Sequence, residues 1–286
     1  MIAEHFKRTG LEVVLYSRTA DERHRPLASL EQMPAWSPDE CLLHLGWSTL
    51  PLTSERLPGI EKETDLPYLE RLLANLARHK QRPHFIFFSS GGTVYGDAPG
   101  RPNTEDDACH PIGNYGRAKL AAENLIREHA DREDLSCTIL RLSNPYGYPV
   151  EPTRVQGIIP HAIRCALAGD TLTLWGDGSA RKDFIYYEDF LAVFELIVQR
   201  RLLGTFNVCA GNSHSINEIL ELVANEVGRK VAVHTIEAPR WDVHDSRLDN
   251  RKLIAATDWR PRTPLREGIR RAVLAYRASG VSTTSK

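Results

Sequence analysis

Short apolar runs recur along this chain, each followed by a longer stretch with helical spacing. Residues 11–16, 41–45, 85–89, 137–142 and 206–209 read as strands, and residues 66–79, 115–130, 190–200 and 216–227 read as helices. Strands that are apolar at nearly every position bury both faces. That is the pattern of a parallel sheet covered by helices on either side. The expected fold is therefore α/β, a doubly wound parallel sheet.

The length of 286 residues suits one large domain or a domain with a smaller lobe. With 36 basic and 37 acidic residues, the net charge of −1 points to no nucleic-acid partner and no membrane partner. Cys41, Cys109, Cys137, Cys165 and Cys209 are odd in number, widely spread and free of any CxxC. They fit reduced thiols, not a disulfide framework or a metal site. The N-terminus lacks a signal-peptide pattern, and no apolar stretch approaches the roughly 20 residues a membrane helix needs. A cytoplasmic protein is expected. After Asn144 the rhythm changes: Pro145, Gly147, Pro149, Pro152, Gly157 and Pro160 interrupt it. Residues 172–175 then read as a strand before the turn Gly176-Asp177-Gly178. A lobe built here would lie at the carboxyl ends of the strands, where open α/β sheets bind ligands. The polar tail after Tyr276 is expected to fray.

Tyr115-Gly116-Arg117-Ala118-Lys119 puts a phenol and an ammonium on one helix face. A neighbouring ammonium favours the phenolate, so the pair suits taking a proton from a hydroxyl or returning it. The spacing alone recurs by chance, yet none of the other eight tyrosines has Lys four residues on. About 20 residues upstream stands Phe87-Phe88-Ser89-Ser90-Gly91-Gly92-Thr93-Val94-Tyr95-Gly96-Asp97. This is an apolar strand ending in a turn of hydroxyls and glycines, where a backbone can approach a ligand closely. The combination is far more specific than either part.

These residues resemble the extended short-chain dehydrogenase/reductase family, in particular its NAD-dependent epimerases and dehydratases of the UDP-glucose 4-epimerase type. The resemblance continues through Leu43-His44-Leu45-Gly46-Trp47-Ser48, Arg141-Leu142-Ser143-Asn144-Pro145-Tyr146-Gly147 and Gln156-Gly157-Ile158-Ile159-Pro160. It includes Trp175-Gly176-Asp177-Gly178-Ser179 with Asp183-Phe184-Ile185-Tyr186, and Asp258-Trp259-Arg260-Pro261. It implies a Rossmann-like sheet with a smaller C-terminal substrate lobe. Residues 1–147, with 183–212 returning to them, would bind the dinucleotide, and residues 148–286 mainly the nucleotide-sugar. It also implies NAD as cofactor, a nucleotide-sugar substrate and a homodimer.

By that resemblance Tyr115 is the acid/base, and Lys119 binds the nicotinamide ribose and tunes Tyr115. Ser90 or Thr93 supplies a further catalytic hydroxyl. Arg18, Leu45, Gly46, Ser89 and Ser143 join the pair as cofactor contacts. Asn144, Gly157 and Ile158 contact the sugar nucleotide. Arg181, Lys182 and Arg240 are candidate cations for its diphosphate, and Asp242 accepts from a ribose hydroxyl.

The chain departs from the family pattern at several points. Gly91 stands where Ser or Thr is usual, Lys182 where Arg is usual, Asp65 where Asn is usual, and the Arg near Asp242 is shifted by one. No GxGxxG loop occurs, and residues 1–9 have helical spacing before Gly10. The chain is thus expected to open after the family's first strand and glycine loop, through a late start or through loss of the cofactor site. Tyr16-Ser17-Arg18 in place of an acidic strand end keeps NADP open beside NAD. The functions to weigh are 4-epimerisation, NADPH-dependent 4-keto reduction and non-catalytic nucleotide-sugar binding. Gly91-Gly92-Thr93 has no acid and speaks against dehydration. Leu69, Leu72, Leu73 and Leu76 suit either a dimer-forming helix bundle or core against the sheet.

Overall fold

The computed structural model describes residues 1–286 except 20, 33–34, 99, 149–155 and 280–286. Pro149, Pro152 and most of the polar tail therefore lie outside the described residues. In chain order the first half runs α1 (Ile2–Arg8), β1 (Tyr16–Ser17), β2 (Arg25–Pro26), β3 (Cys41–His44), α2 (Pro51–Arg56), α3 (Ile60–Glu63), α4 (Asp65–Ala77), β4 (His84–Ser90), α5 (Asn114–Glu133) and β5 (Cys137–Leu142). It continues through β6 (Asn144–Tyr146), α6 (Ile158–Ala168), β7 (Thr171–Trp175), β8 (Arg181–Tyr186), α7 (Tyr187–Arg200) and β9 (Gly204–Val208). The last elements are β10 (Ser213–Ser215), α8 (Ile216–Val227), β11 (Ala232–Ile236), β12 (Asp245–Ser246), α9 (Arg251–Thr257) and α10 (Leu265–Ala278).

The main sheet is parallel, in the order β3-β4-β5-β9. Its strands are apolar on both faces because both faces are covered. On one side Leu69, Leu72, Leu73 and Leu76 of α4 join Phe85, Phe87, Ile139 and the α5 residues Ala122 and Ile126. On the other, Phe190, Val193, Phe194 and Ile197 of α7 meet Ile86, Leu140, Phe206 and Val208. The four α4 leucines are thus core against the sheet, and each contributes about 1.5–3 kcal/mol by leaving water.

Residues 11–16 do not form the strand their composition suggests. Only Tyr16–Ser17 is a strand, and it pairs with Arg25–Pro26 outside the main sheet. A strand exists by hydrogen bonding to a neighbour, and among the described strands β3 pairs only with β4. Leu11 and Val14 consequently stay 49% and 39% exposed.

Beyond β5 the chain builds a second core. Strand β8 is flanked by β10 and β12 and also pairs with β6, while β7 pairs with β11. Helices α6, α8 and α10 contribute Ile163, Ile219 and Ile269 to one cluster with Tyr146 and Phe184. Helix α8 starts at a capping box, Ser215 with Glu218, which satisfies two backbone donors that the first turn leaves free.

Candidate active site

Helix α5 begins against the ends of β4 and β5, and two local devices hold it there. Glu55 of α2 accepts from the Asn114 backbone N–H at 2.5 Å and from its Nδ2 at 3.0 Å, placing a carboxylate at the positive end of the helix. Gly116 lets the turn after β4 lie directly on the helix: a Cβ there would stand 2.6 Å from the Thr93 carbonyl oxygen. Tyr115 and Lys119 therefore sit where Ser90, Thr93 and the end of β4 converge.

The Lys119 ammonium donates to the Phe88 carbonyl at 2.9 Å. It lies 3.9 Å from the Trp47 ring centroid, 4.8 Å from that of Phe87 and 5.7 Å from that of Tyr115. Burial pushes the ammonium down to about 7, against the opposing charges of Asp65, Glu123 and Glu61. The phenol of Tyr115 moves the other way. Burial raises it above its ordinary value, and the carboxylates of Glu61 and Asp65 raise it further. The sequence reading expected Lys119 to lower it. Here the ammonium is spent on the Phe88 carbonyl and the Trp47 ring, while two acids face the phenol.

Around this pair Arg18 donates to Ser48 Oγ at 2.9 Å and lies 3.6 Å from Asp65 Oδ1. Asp65 also accepts from the Ser48 backbone at 3.0 Å, while its Oδ2 is buried without a partner. Leu45 is 52% exposed, and a Cβ on Gly46 would meet nothing within 4 Å, so the loop after β3 borders open space. Thr93 Oγ1 is buried and unpartnered. The Ser89 hydroxyl instead donates into the protein, to Glu123 at 2.5 Å. Ser143 is buried at the end of β5, where its N–H donates to the Val208 carbonyl at 3.0 Å.

Gly91 has a packing reason. A Cβ there would fall 2.5 Å from Leu248 Cδ1 and 2.8 Å from the Arg141 carbonyl oxygen, so no hydroxyl-bearing side chain fits.

The residues expected to hold substrate divide. Asn144 Nδ2 donates to the Asp183 carbonyl at 2.9 Å. Lys182 pairs with Asp242 at 3.2 Å and donates to the Val243 carbonyl. Arg240 is exposed in the same loop, and the neighbouring Trp241 packs over Gly113, with 3.4 Å to a Cβ there. That contact brings the loop of Arg240 and Asp242 to the start of α5. Arg181 turns away, donating to the Ser213 carbonyl at 2.7 Å with Glu218 at 3.6 Å. Gly157 and Ile158 begin α6, where the glycine adopts φ +93°.

The sequence reading overlooked three residues that shape the site. Trp47 covers Lys119, Glu61 faces Tyr115, and Glu123 continues their helix face. Trp47 lies in the 43–48 segment that carries the family resemblance, and Glu123 stands four residues from Lys119; Glu61 left no signal. Among the described residues, no group of three or more His, Cys, Asp or Glu is placed to hold a metal ion, and no helix is long and apolar enough to cross a membrane.

Residues 29–209 match the family model for the NAD dependent epimerase/dehydratase family. The UDP-glucose 4-epimerase of Mycolicibacterium smegmatis is 31% identical over 72% of this chain, and the matched stretch spans 66% of that relative, just under two thirds of its length. The dTDP-4-dehydro-6-deoxyglucose reductase of Escherichia coli is 27% identical over 82% of this chain and 74% of its own. Among solved structures, the Thermus thermophilus UDP-glucose 4-epimerase in complex with NAD superposes with a TM-score of 0.85 at 25% identity, covering 97% of this chain and 95% of that one.

Proposed function

Because the chain belongs to the NAD-dependent epimerase/dehydratase family, we propose that it is a nucleotide-sugar epimerase inverting C4 of a UDP-sugar through a 4-keto sugar. The observation that carries this reading is the Tyr115–Lys119 pair on one face of α5, with its ammonium anchored on β4. The named relatives support the sugar-nucleotide class.

The residues beside the pair fit the nicotinamide half of a dinucleotide. Two buried polar atoms lack partners there, Asp65 Oδ2 and Trp47 Nε1, and open space borders Gly46. Lys119 and Tyr115 would hold the nicotinamide ribose, with Leu45 and Gly46 beside it. NAD, when bound, supplies a hydride acceptor and donor at C4. Arg18 spends its guanidinium on Ser48 and Asp65, which supports NAD over NADP.

The chain's own work is then proton transfer and positioning. Tyr115 takes the C4 hydroxyl proton as the phenolate and returns it after the sugar has turned; burial and the acids Glu61 and Asp65 disfavour that form, and the positive nicotinamide of bound NAD would favour it. Thr93, whose hydroxyl is free, makes the contact that Gly91 cannot, with Ser90 at the strand end beside it. Arg240, exposed in its loop, offers a cation to the diphosphate, and Lys182 and Asp242 would join by exchanging their mutual pair for the diphosphate and a ribose hydroxyl, while Asn144 borders the sugar. In this reading residues 1–147 with 183–212 carry the cofactor and residues 148–286 mainly the substrate. A cytoplasmic homodimer completes it.

The test is interconversion of UDP-glucose and UDP-galactose by the purified chain, with Tyr115→Phe as control. Unchanged turnover in that variant would remove the assignment. A second reading is 4-keto reduction. It is favoured by the reductase relative and by a phenol that burial, with Glu61 and Asp65, keeps protonated, as a proton donor to a carbonyl requires. Stoichiometric oxidation of NADPH by a nucleotide 4-keto sugar, with no epimerised product, would select it.

A further inference from the structure

Helix α5 carries a third ionisable residue on the face of Tyr115 and Lys119. Glu123 lies about one turn beyond Lys119 and is fully buried. Its carboxylate accepts from Ser89 Oγ at 2.5 Å, from Arg127 Nη2 at 2.6 Å and from Arg141 Nη2 at 2.7 Å. Arg141 Nε adds contacts at 3.1 and 3.2 Å, one to each carboxylate oxygen. Arg141 Nη1 donates to the Tyr95 hydroxyl at 2.7 Å, and Tyr95 donates to Asn207 Oδ1 at 2.8 Å. One carboxylate thus ties the catalytic helix to β4 and β5 directly, and to β9 through Tyr95.

This arrangement is poorly explained by stability. Two guanidinium groups converge on one buried acid, and apolar side chains of similar volume usually serve a core as well or better. What a forked guanidinium–carboxylate contact adds is fixed geometry. Lys119 and Glu123, one turn apart, grip consecutive residues of β4, Phe88 by its carbonyl and Ser89 by its hydroxyl. Slippage of the helix along the strand would break both contacts together. Arg141 lies in β5 three residues before Asn144, so the same clamp fixes α5 against the strand that leads to Asn144.

We propose that Glu123 is a positioning residue for the Tyr115–Lys119 pair, fixing the height of α5 on the end of β4 and keeping negative charge beside the ammonium. The proposal rests on the epimerase reading above. Lys119 is faced by Asp65 of α4, Glu61 of α3, His44 of β3, and Tyr115 and Glu123 of its own helix. Removing the charge of Glu123 leaves two acids and weakens the hold on the Lys119 proton.

The test compares Glu123→Gln, which keeps the volume, with a double variant, Glu123→Leu/Arg141→Met, which removes both charges together. Turnover of UDP-glucose, NADH binding by nicotinamide fluorescence and thermal melting are read for each across neutral and alkaline pH. Glu123→Gln is expected to lower kcat by about 10- to 100-fold, as a misplaced acid/base does, with KM nearly unchanged. It also moves the alkaline loss of activity and NADH binding to lower pH. The double variant is expected to melt near the wild type while its kcat stays low. Recovery of wild-type kcat in the double variant overturns the proposal, since the network would then be structural alone. So does a Glu123→Gln protein with unchanged kcat and unchanged pH limb. If the wild type binds NADH and converts no UDP-sugar, the epimerase reading fails instead, and the NADH-binding limb of Glu123→Gln still decides the role of Glu123.

Discussion

The Lys119 ammonium lies 3.9 Å from the centroid of the Trp47 ring, with the Phe88 carbonyl as its hydrogen-bond acceptor. An indole face over a desolvated ammonium stabilises it by roughly 0.5–2 kcal/mol, and the same face covers the cation expected to hold the nicotinamide ribose. Titration with NAD should therefore change tryptophan fluorescence, and Trp47→Phe should remove most of that change. An equal signal in the variant would place the contact elsewhere.

Tyr115→Phe removes the oxygen proposed to transfer the proton and leaves the ring. Turnover should fall by about 10²- to 10⁴-fold, the usual weight of a general acid–base, while KM stays close to that of the wild type. Steady-state kinetics with UDP-glucose measure both.

Gly91→Ser restores a hydroxyl at the family's usual position, yet the side chain must enter the space of Leu248 and the Arg141 carbonyl. The variant should lose about 1–3 kcal/mol by overpacking and gain no activity. Adding Leu248→Ala should return part of the stability by opening room. A Gly91→Ser protein with an unchanged urea midpoint would refute this account.

Burial pushes Lys119 down to about 7, so its charged form disappears as pH rises through that value. NADH affinity should weaken on the alkaline side of neutrality. Asp65 is the largest opposing charge, and Asp65→Asn should move the weakening to lower pH. A binding curve flat across neutrality would contradict a role for the ammonium.

His44 is buried, both ring nitrogens lack partners, and burial pushes it from 6.5 down to about 3. The unfolded chain gains this proton below 6.5 and the folded chain does not. Its contribution to stability is therefore intact above 6.5 and falls as pH drops toward 3, by about 1.4 kcal/mol per pH unit at most. Urea midpoints of the wild type and His44→Phe should diverge only below 6.5, with the variant flatter.

Much of the fold could be read from local pattern. Apolar runs separated by helical periods marked β3, β4, β5 and β9, because burial on both faces leaves its trace in each strand's own composition. The spacing of Tyr115, Lys119 and Glu123 puts them on one face of α5, because helical geometry is local. Other features depended on neighbours distant in the chain. Residues 11–16 carry the same apolar signal as the sheet strands, yet a strand needs a paired edge, and composition does not say where one is. The leucine stripe of α4 announced a buried face without naming what covers it, and the sheet decided that. Alternation along β4 could not tell that the Ser89 hydroxyl turns inward, since Glu123 draws it there. In the sequence Gly91 is only a missing hydroxyl; that Leu248 occupies the space beside it is a tertiary contact. Periodicity and residue type set what each segment is able to do. Which atoms meet depended on packing between segments, because close contacts are made in space and leave no period in the chain.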